Sequence, residues 1–133
     1  MNMVFADSYF FPAQLNPRDE AHEIACEFTD THNVRLFTTD WVLVAVADAL
    51  SRPPNRSRFI RFFDLLLTME DTMVVPASRE LLRSGWELYS SRSDKDWSLT
   101  DCISFAVMHR EGIREALTGD RHFEQAGFIA LLR

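Results

Sequence analysis

Short apolar runs alternate along the chain with stretches whose apolar positions recur at helical spacing. Val4-Phe5-Ala6 stops at Asp7 and predicts a first strand. Over residues 17–28, Ala21, Ile24, Ala25 and Phe28 mark one helical face, with Asn16 as N-cap and Pro17 at the first helical position. Arg35-Leu36-Phe37-Thr38-Thr39 predicts a second strand, after which Asp40 caps an apolar helix over 41–50. That helix is hydrophobic nearly all round and is expected to be buried, and Pro53-Pro54 ends it. A third helix follows over 57–69, with Phe59, Phe62, Phe63, Leu66 and Leu67 on one broad face. Met73-Val74-Val75 reads as a buried strand, with Met69 and Met73 as core filler. Helices over 78–89 and 98–111 come next, the second stopped by Gly112. Short strands are expected over 114–118 and 128–131.

This alternation predicts an α/β fold: three layers, α/β/α, around a central parallel sheet of four to five strands. A chain of 133 residues fits one domain, 1–133, large enough to bury a core without disulfides or metals as staples. No apolar run reaches the length of a membrane span. The opening Met1-Asn2-Met3-Val4-Phe5 has no basic segment ahead of an apolar one, so it is not read as a signal peptide. Cys26 and Cys102 lack metal-site spacing and are expected to be buried thiols in a reducing cytoplasm.

The formal charge of −6 speaks weakly against a nucleic-acid partner, because clustered site carboxylates contribute to it and a bound cation inverts it locally. Lys95 is the only lysine among 14 basic residues. The bias to arginine suits phosphate or an acidic partner, and equally suits a GC-rich genome. Arg52, Arg56, Arg58 and Arg61 cluster around the Pro53-Pro54 break and read first as a solvated helix face.

In open α/β sheets ligands bind beyond the carboxyl ends of the strands. Asp7 follows the first strand, Asp120 follows the fourth in Thr118-Gly119-Asp120, and Asp101 lies in the first turn of the helix over 98–111. Three such carboxylates can converge at one edge of the sheet. Their mutual repulsion would be relieved by a hard divalent cation, and oxygen ligands favour Mg²⁺ or Mn²⁺. Each also has a local role open to it. Asp7 can serve a turn, Asp120 can cap a short helix at Arg121-His122-Phe123, and Asp101 completes a capping-box pattern with Ser98. His122 reads as packing or capping locally, and Arg121 is a better candidate than His122 for phosphate contact.

Val4-Phe5-Ala6-Asp7-Ser8-Tyr9-Phe10, Asn16-Pro17-Arg18-Asp19, Thr38-Thr39-Asp40-Trp41-Val42-Leu43, Asp96-Trp97-Ser98-Leu99-Thr100-Asp101-Cys102-Ile103-Ser104-Phe105 and Ala116-Leu117-Thr118-Gly119-Asp120-Arg121-His122-Phe123 occur in that order. Together they resemble a PIN-domain protein of the VapC toxin type, over the whole chain. The resemblance implies a metal-dependent endoribonuclease of a toxin–antitoxin pair, using Mg²⁺ or Mn²⁺, often a homodimer, silenced by a small antitoxin. It carries Asp7, Asp101 and Asp120 over as acidic metal-site residues, with Asp96 outside them at best. Similar sequences have a glutamate where this chain has Ala45. Alanine neither binds metal nor orients water, so the departure puts metal affinity and catalysis in question; Asp48 lies three residues on, roughly on the same helix side.

Three readings therefore stand. The leading one is an RNA-cutting toxin. The second is a non-catalytic PIN-fold protein that binds an antitoxin or RNA, with Ala45 in its favour. The third, a receiver-like phospho-acceptor domain, wants a lysine after a late strand, whereas Lys95 precedes a helix. The phenylalanine-rich helix exceeds what one core face needs, which points to an interface with an antitoxin or a second copy.

Overall fold

The computed structural model describes residues 2–31 and 33–133. Strand β1 (Asn2–Ala6) leads to α1 (Phe10–Leu15) and α2 (His22–Thr31), and β2 (Val34–Thr39) to α3 (Asp40–Ala49) and α4 (Asn55–Leu66). Then come β3 (Thr72–Val75), α5 (Arg79–Ser91), α6 (Leu99–Glu111), β4 (Glu115–Leu117), α7 (Arg121–Gln125) and β5 (Ile129–Ala130). The strands form one sheet in the order β3-β2-β1-β4-β5, every pair parallel. Helices flank this sheet, as the alternation predicts.

The strand order places a topological switch at β1. From β1 the chain moves outward through β2 and β3, then returns to add β4 and β5 on the other side. Neighbouring connections leave in opposite directions there, opening a crevice at the carboxyl ends of β1 and β4. The core builds up around this point. Val4, Phe5 and Ala6 of β1 are buried, as are Ala116 and Leu117 of β4 and Cys102, Ile103, Phe105, Val107 and Met108 of α6. Phe105 meets Trp97 and Phe123 edge-on, tying the loop before α6 and the helix α7 to the same core.

Several local expectations change. Helix α1 is absent from the pattern reading, because Phe10-Phe11-Pro12 shows no apolar period and Tyr9 supplies no side-chain cap. Pro12 is tolerated because it falls in the first helical turn, where an amide hydrogen has no intrahelical partner. Asn16, expected as an N-cap, is instead the C-cap of α1, its N–H donating to Pro12 O at 2.9 Å. Its side chain accepts from the Arg18 amide and that of Asp19 accepts from the Ala21 amide, so the chain turns before α2 starts at His22.

Other corrections concern burial. Thr39, not Asp40, caps α3, its Oγ1 accepting from the Val42 amide at 3.1 Å. Helix α3 buries Val42, Leu43 and Val46 but exposes Val44, so it is not buried all round. β3 is an edge strand with only Val75 buried, and Met69 and Met73 are exposed rather than core filler. Cys102 is buried as expected, whereas Cys26 is only half-buried, its Sγ 3.6 Å from His22 Nε2.

Helices α5 and α6 pack through Gly85, where a Cβ would overlap Ile103 Cγ1 and come within 3.0 Å of the Ile103 backbone nitrogen. Alanine normally gains about 1 kcal/mol over glycine in a helix, but overpacking of this kind costs about 1–3 kcal/mol. Gly85→Ala is therefore expected to lower the urea midpoint. A midpoint equal to or above that of the parent would show that α5 lifts off α6 without cost.

Candidate metal centre

Parallel pairing brings the ends of β1 and β4 side by side, with Ala6 opposite Leu117. Asp7 leaves β1 at this edge and is 2% exposed. Its Oδ2 accepts from Thr118 Oγ1 at 3.0 Å, and the same hydroxyl accepts from the Asp120 amide at 3.0 Å. One threonine thus fixes both aspartates relative to each other. On the other side of β1, Thr38 Oγ1 donates to Ala6 O at 2.9 Å and holds the end of β2 against the same point.

Asp101 is presented by the start of α6. The Ser98 hydroxyl accepts from the Asp101 amide at 2.9 Å, and Asp101 Oδ2 accepts in return from the Ser98 amide at 3.2 Å. The local capping role read from the sequence is real, and it aims the carboxylate rather than replacing a role in the site. Asp120 likewise caps α7, its Oδ1 accepting from the His122 amide at 2.9 Å. That cap turns the His122 ring inward, so that Nδ1 lies 3.2 Å from Asp101 Oδ2 and 3.4 Å from Asp120 Oδ1. One ligand atom from each of Asp101, Asp120 and His122 lies within 4.8 Å of the others.

Asp7 stands outside that tight group but shares its electrostatics. Burial, then the nearby Asp101 charge, raise its pKa to about 6, while the Ser8 and Tyr9 amides and the Thr118 hydroxyl offset part of the rise. Asp101 is raised as well, first by burial and also by Asp120, against the Ser98 amide and His122. Asp7 and Asp101 are crowded and withdrawn from water, and among the described residues no arginine or lysine forms an ion pair with them or with Asp120. That is the environment a divalent cation relieves. Ser104 is fully buried one helical turn beyond Asp101, and its Oγ has no hydrogen-bond partner among the described residues.

The remaining sequence candidates lie elsewhere. Asp96 is exposed. Ala45 and Asp48 line a groove of about 240 Å³ with Asp40, Trp41, Val44, Ala77 and Thr100. The groove reaches Thr100, the residue before Asp101, but none of Asp7, Asp101 and Asp120 lines it, and Asp48 is exposed and is not one of the grouped residues. His122, read in the sequence as packing or capping locally, is also brought against Asp101 and Asp120. Its signal was the spacing from Asp120, a helix cap whose amide partner carries an imidazole.

The raised Asp7 has a consequence for stability. Its folded pKa of about 6 exceeds the ordinary 3.8, so between these values the folded state holds the extra proton. The penalty is absent below the lower value, grows as pH rises, and is complete above about 6. Two units correspond to about 3 kcal/mol. Without added cation at pH 7.5, Asp7→Asn is expected to be more stable than the parent by up to this amount, with the gain vanishing towards pH 4. Urea melts across this range test it; a gain that does not shrink on acidification would mean that Asp7 ionisation is not its source.

A family model for the PIN domain matches residues 4–129. Over 127 residues the chain is 27% identical to the 23S rRNA-specific endonuclease VapC20 of Mycobacterium tuberculosis, with 96% of each protein covered. The crystal structure of VapC20 from that organism, a Sarcin-Ricin loop cleaving toxin, matches with a TM-score of 0.88 at 25% identity, over 96% of this chain and 98% of the other. FitAcB from Neisseria gonorrhoeae shares the fold at a TM-score of 0.68 and 12% identity, over 96% and 95% of the two chains. With nearly its whole length matched by the family model and its acids gathered at the switch point of the parallel sheet, the chain belongs to the PIN domain family.

Proposed function

We propose that this chain is a metal-dependent endoribonuclease toxin of the VapC type, in which Asp7, Asp101 and Asp120 hold Mg²⁺ or Mn²⁺ with His122 beside them. The observation that carries the reading is the convergence of buried, charge-coupled carboxylates at the carboxyl edge of a PIN sheet. Residues 1–133 are read as a single PIN-like domain, in keeping with one sheet and one buried core cluster.

When bound, the cation would acidify a water and neutralise charge on the phosphodiester. The chain's own residues do the rest. Thr118 locks Asp7 so that an oxygen is offered at a fixed position. The capping box holds Asp101 against rotation, and the α7 cap does the same for Asp120. His122 Nδ1, between two carboxylates, restrains both. Such restraint matters because a misplacement of about 1 Å can cost about a hundredfold in rate.

The relatives make the sarcin–ricin loop of 23S rRNA the first substrate to try. For partners we propose a small antitoxin and a second copy of the chain. Helix α4 supports an interface, since Ile60 and Leu65, with Leu67 just beyond it, are exposed apolar side chains. No helix among the described residues is long and apolar enough to cross a membrane. We place the protein in the cytoplasm, with its RNA.

Ala45 favours a second reading, a PIN protein that binds without cutting. Cleavage of a sarcin–ricin loop RNA with and without Mn²⁺ separates the two. Cation-dependent cleavage is expected, reduced about 10²–10³-fold in Asp101→Asn and raised about 10-fold or more in Ala45→Glu, by analogy with groups that tune a metal site. If neither the parent nor Ala45→Glu cuts while both bind RNA or an antitoxin, the binding-only reading replaces the nuclease. Loading of the site has its own readout: Mn²⁺ at a hundred times its Kd should stabilise the fold by about 2.7 kcal/mol. Asp120→Asn should lose most of that gain, and an equal gain in the variant would place the ion elsewhere.

A further inference from the structure

Three aromatic residues follow the first strand, and they part company. Phe10 and Phe11 are 2% and 1% exposed and belong to the core, whereas Tyr9 is 39% exposed. Tyr9 has no ring pairing and no side-chain hydrogen bond among the described residues. Its backbone faces the site, where its amide helps to stabilise the Asp7 carboxylate.

The far end of the ring rests on Gly119. A Cβ at that position would lie 2.5 Å from Tyr9 Cζ and 2.6 Å from its Oη. Gly119 does not have the positive φ that requires glycine; among the described residues only Gly112 and Gly127 do. What its missing side chain leaves room for is the phenol. Gly119 also sits between Thr118, which holds Asp7, and Asp120, which lies in the ligand group. The ring is therefore tied to the site at both ends: through its own backbone to Asp7, and through contact to the loop carrying Asp120.

We propose that Tyr9 is a substrate-positioning residue, its ring stacking on an unpaired nucleobase beside the phosphodiester offered to Asp7, Asp101 and Asp120. This deepens the nuclease reading and rests on it. The chemistry favours a base over a phosphate as the partner. The surroundings are carboxylates in a chain of net charge −6, which repel the RNA backbone. Stacking needs no opposite charge and works on the splayed bases of loops. A ring anchored at one end and open to solvent elsewhere loses little freedom when a base lands on it.

Gly119 offers a way to displace the ring without removing it. The atoms that an alanine methyl would meet are the far end of a side chain and not backbone, so the ring can swing aside while the fold stays in place. Affinity is read by fluorescence anisotropy of a labelled RNA hairpin with an unpaired loop, on the cleavage-silenced Asp101→Asn protein. Tyr9→Ala and Gly119→Ala are each expected to weaken binding about 5- to 100-fold, the range of one lost base–aromatic stack. Tyr9→Phe should bind like the parent, which also shows that the fold is intact. Gly119→Ala should add nothing once Tyr9 is alanine.

The proposal is overturned if Tyr9→Ala binds as tightly as its parent, or if Tyr9→Phe is as weak as Tyr9→Ala. It is also overturned if Gly119→Ala still weakens binding without the ring, or if the parent does not bind the hairpin at all. RNA binding that depends on Tyr9, with no cation-dependent cleavage by the unsilenced chain or by Ala45→Glu, would remove the nuclease reading and leave Tyr9 as an RNA contact.

Discussion

The hydroxyl of Thr118 is the joint on which the site depends. It donates to Asp7 at the end of β1 and accepts from the amide of Asp120 beyond β4, two segments more than a hundred residues apart in sequence. A serine or threonine hydroxyl is one of the few groups able to do both at once. Because it is fully buried, both bonds are made away from competing water. Parallel pairing sets β1 and β4 next to each other, and this one side chain turns adjacency into a fixed separation between carboxylates. Thr38 repeats the device on the other flank of β1, bonding across to Ala6.

How much of this was legible follows from how local each signal is. The strand–helix alternation was legible, because burying one face of an element imposes its period on the sequence. The acids at strand ends were legible as candidates, because a parallel sheet has one carboxyl edge. Asp101 could not be assigned from spacing, since Ser98-x-x-Asp101 satisfies a capping box whether or not a site lies beyond it; the structure shows the box made and the carboxylate among its partners. His122 shows the same overlap of roles. Its local role and its place among the acids are the same geometry, a helix cap that turns the ring. Helix α1 and the exposure of Met69, Met73 and Val44 were not legible, because apolar content alone does not say which side of an edge strand or short helix meets the core.

The site stands in tension with the fold that carries it. Asp7 is buried where its charge is unwelcome, and desolvation outweighs the amides and the hydroxyl that bond it. An amide side chain there would relieve the fold and forfeit the carboxylate. Such strain is expected where a site is built for a guest that supplies the missing charge.

Ala45 then takes a more limited meaning than its absent carboxylate first suggests. The position lies in a groove ending at Thr100, one residue before Asp101, rather than within the group formed by Asp101, Asp120 and His122. The carboxylates fixed by Thr118 and by the two helix caps keep their places whatever stands at 45, since none of those bonds involves it. Asp101 and Asp120 meet a basic side chain in His122, so what draws this group together lies at the start of α7 and not on α3.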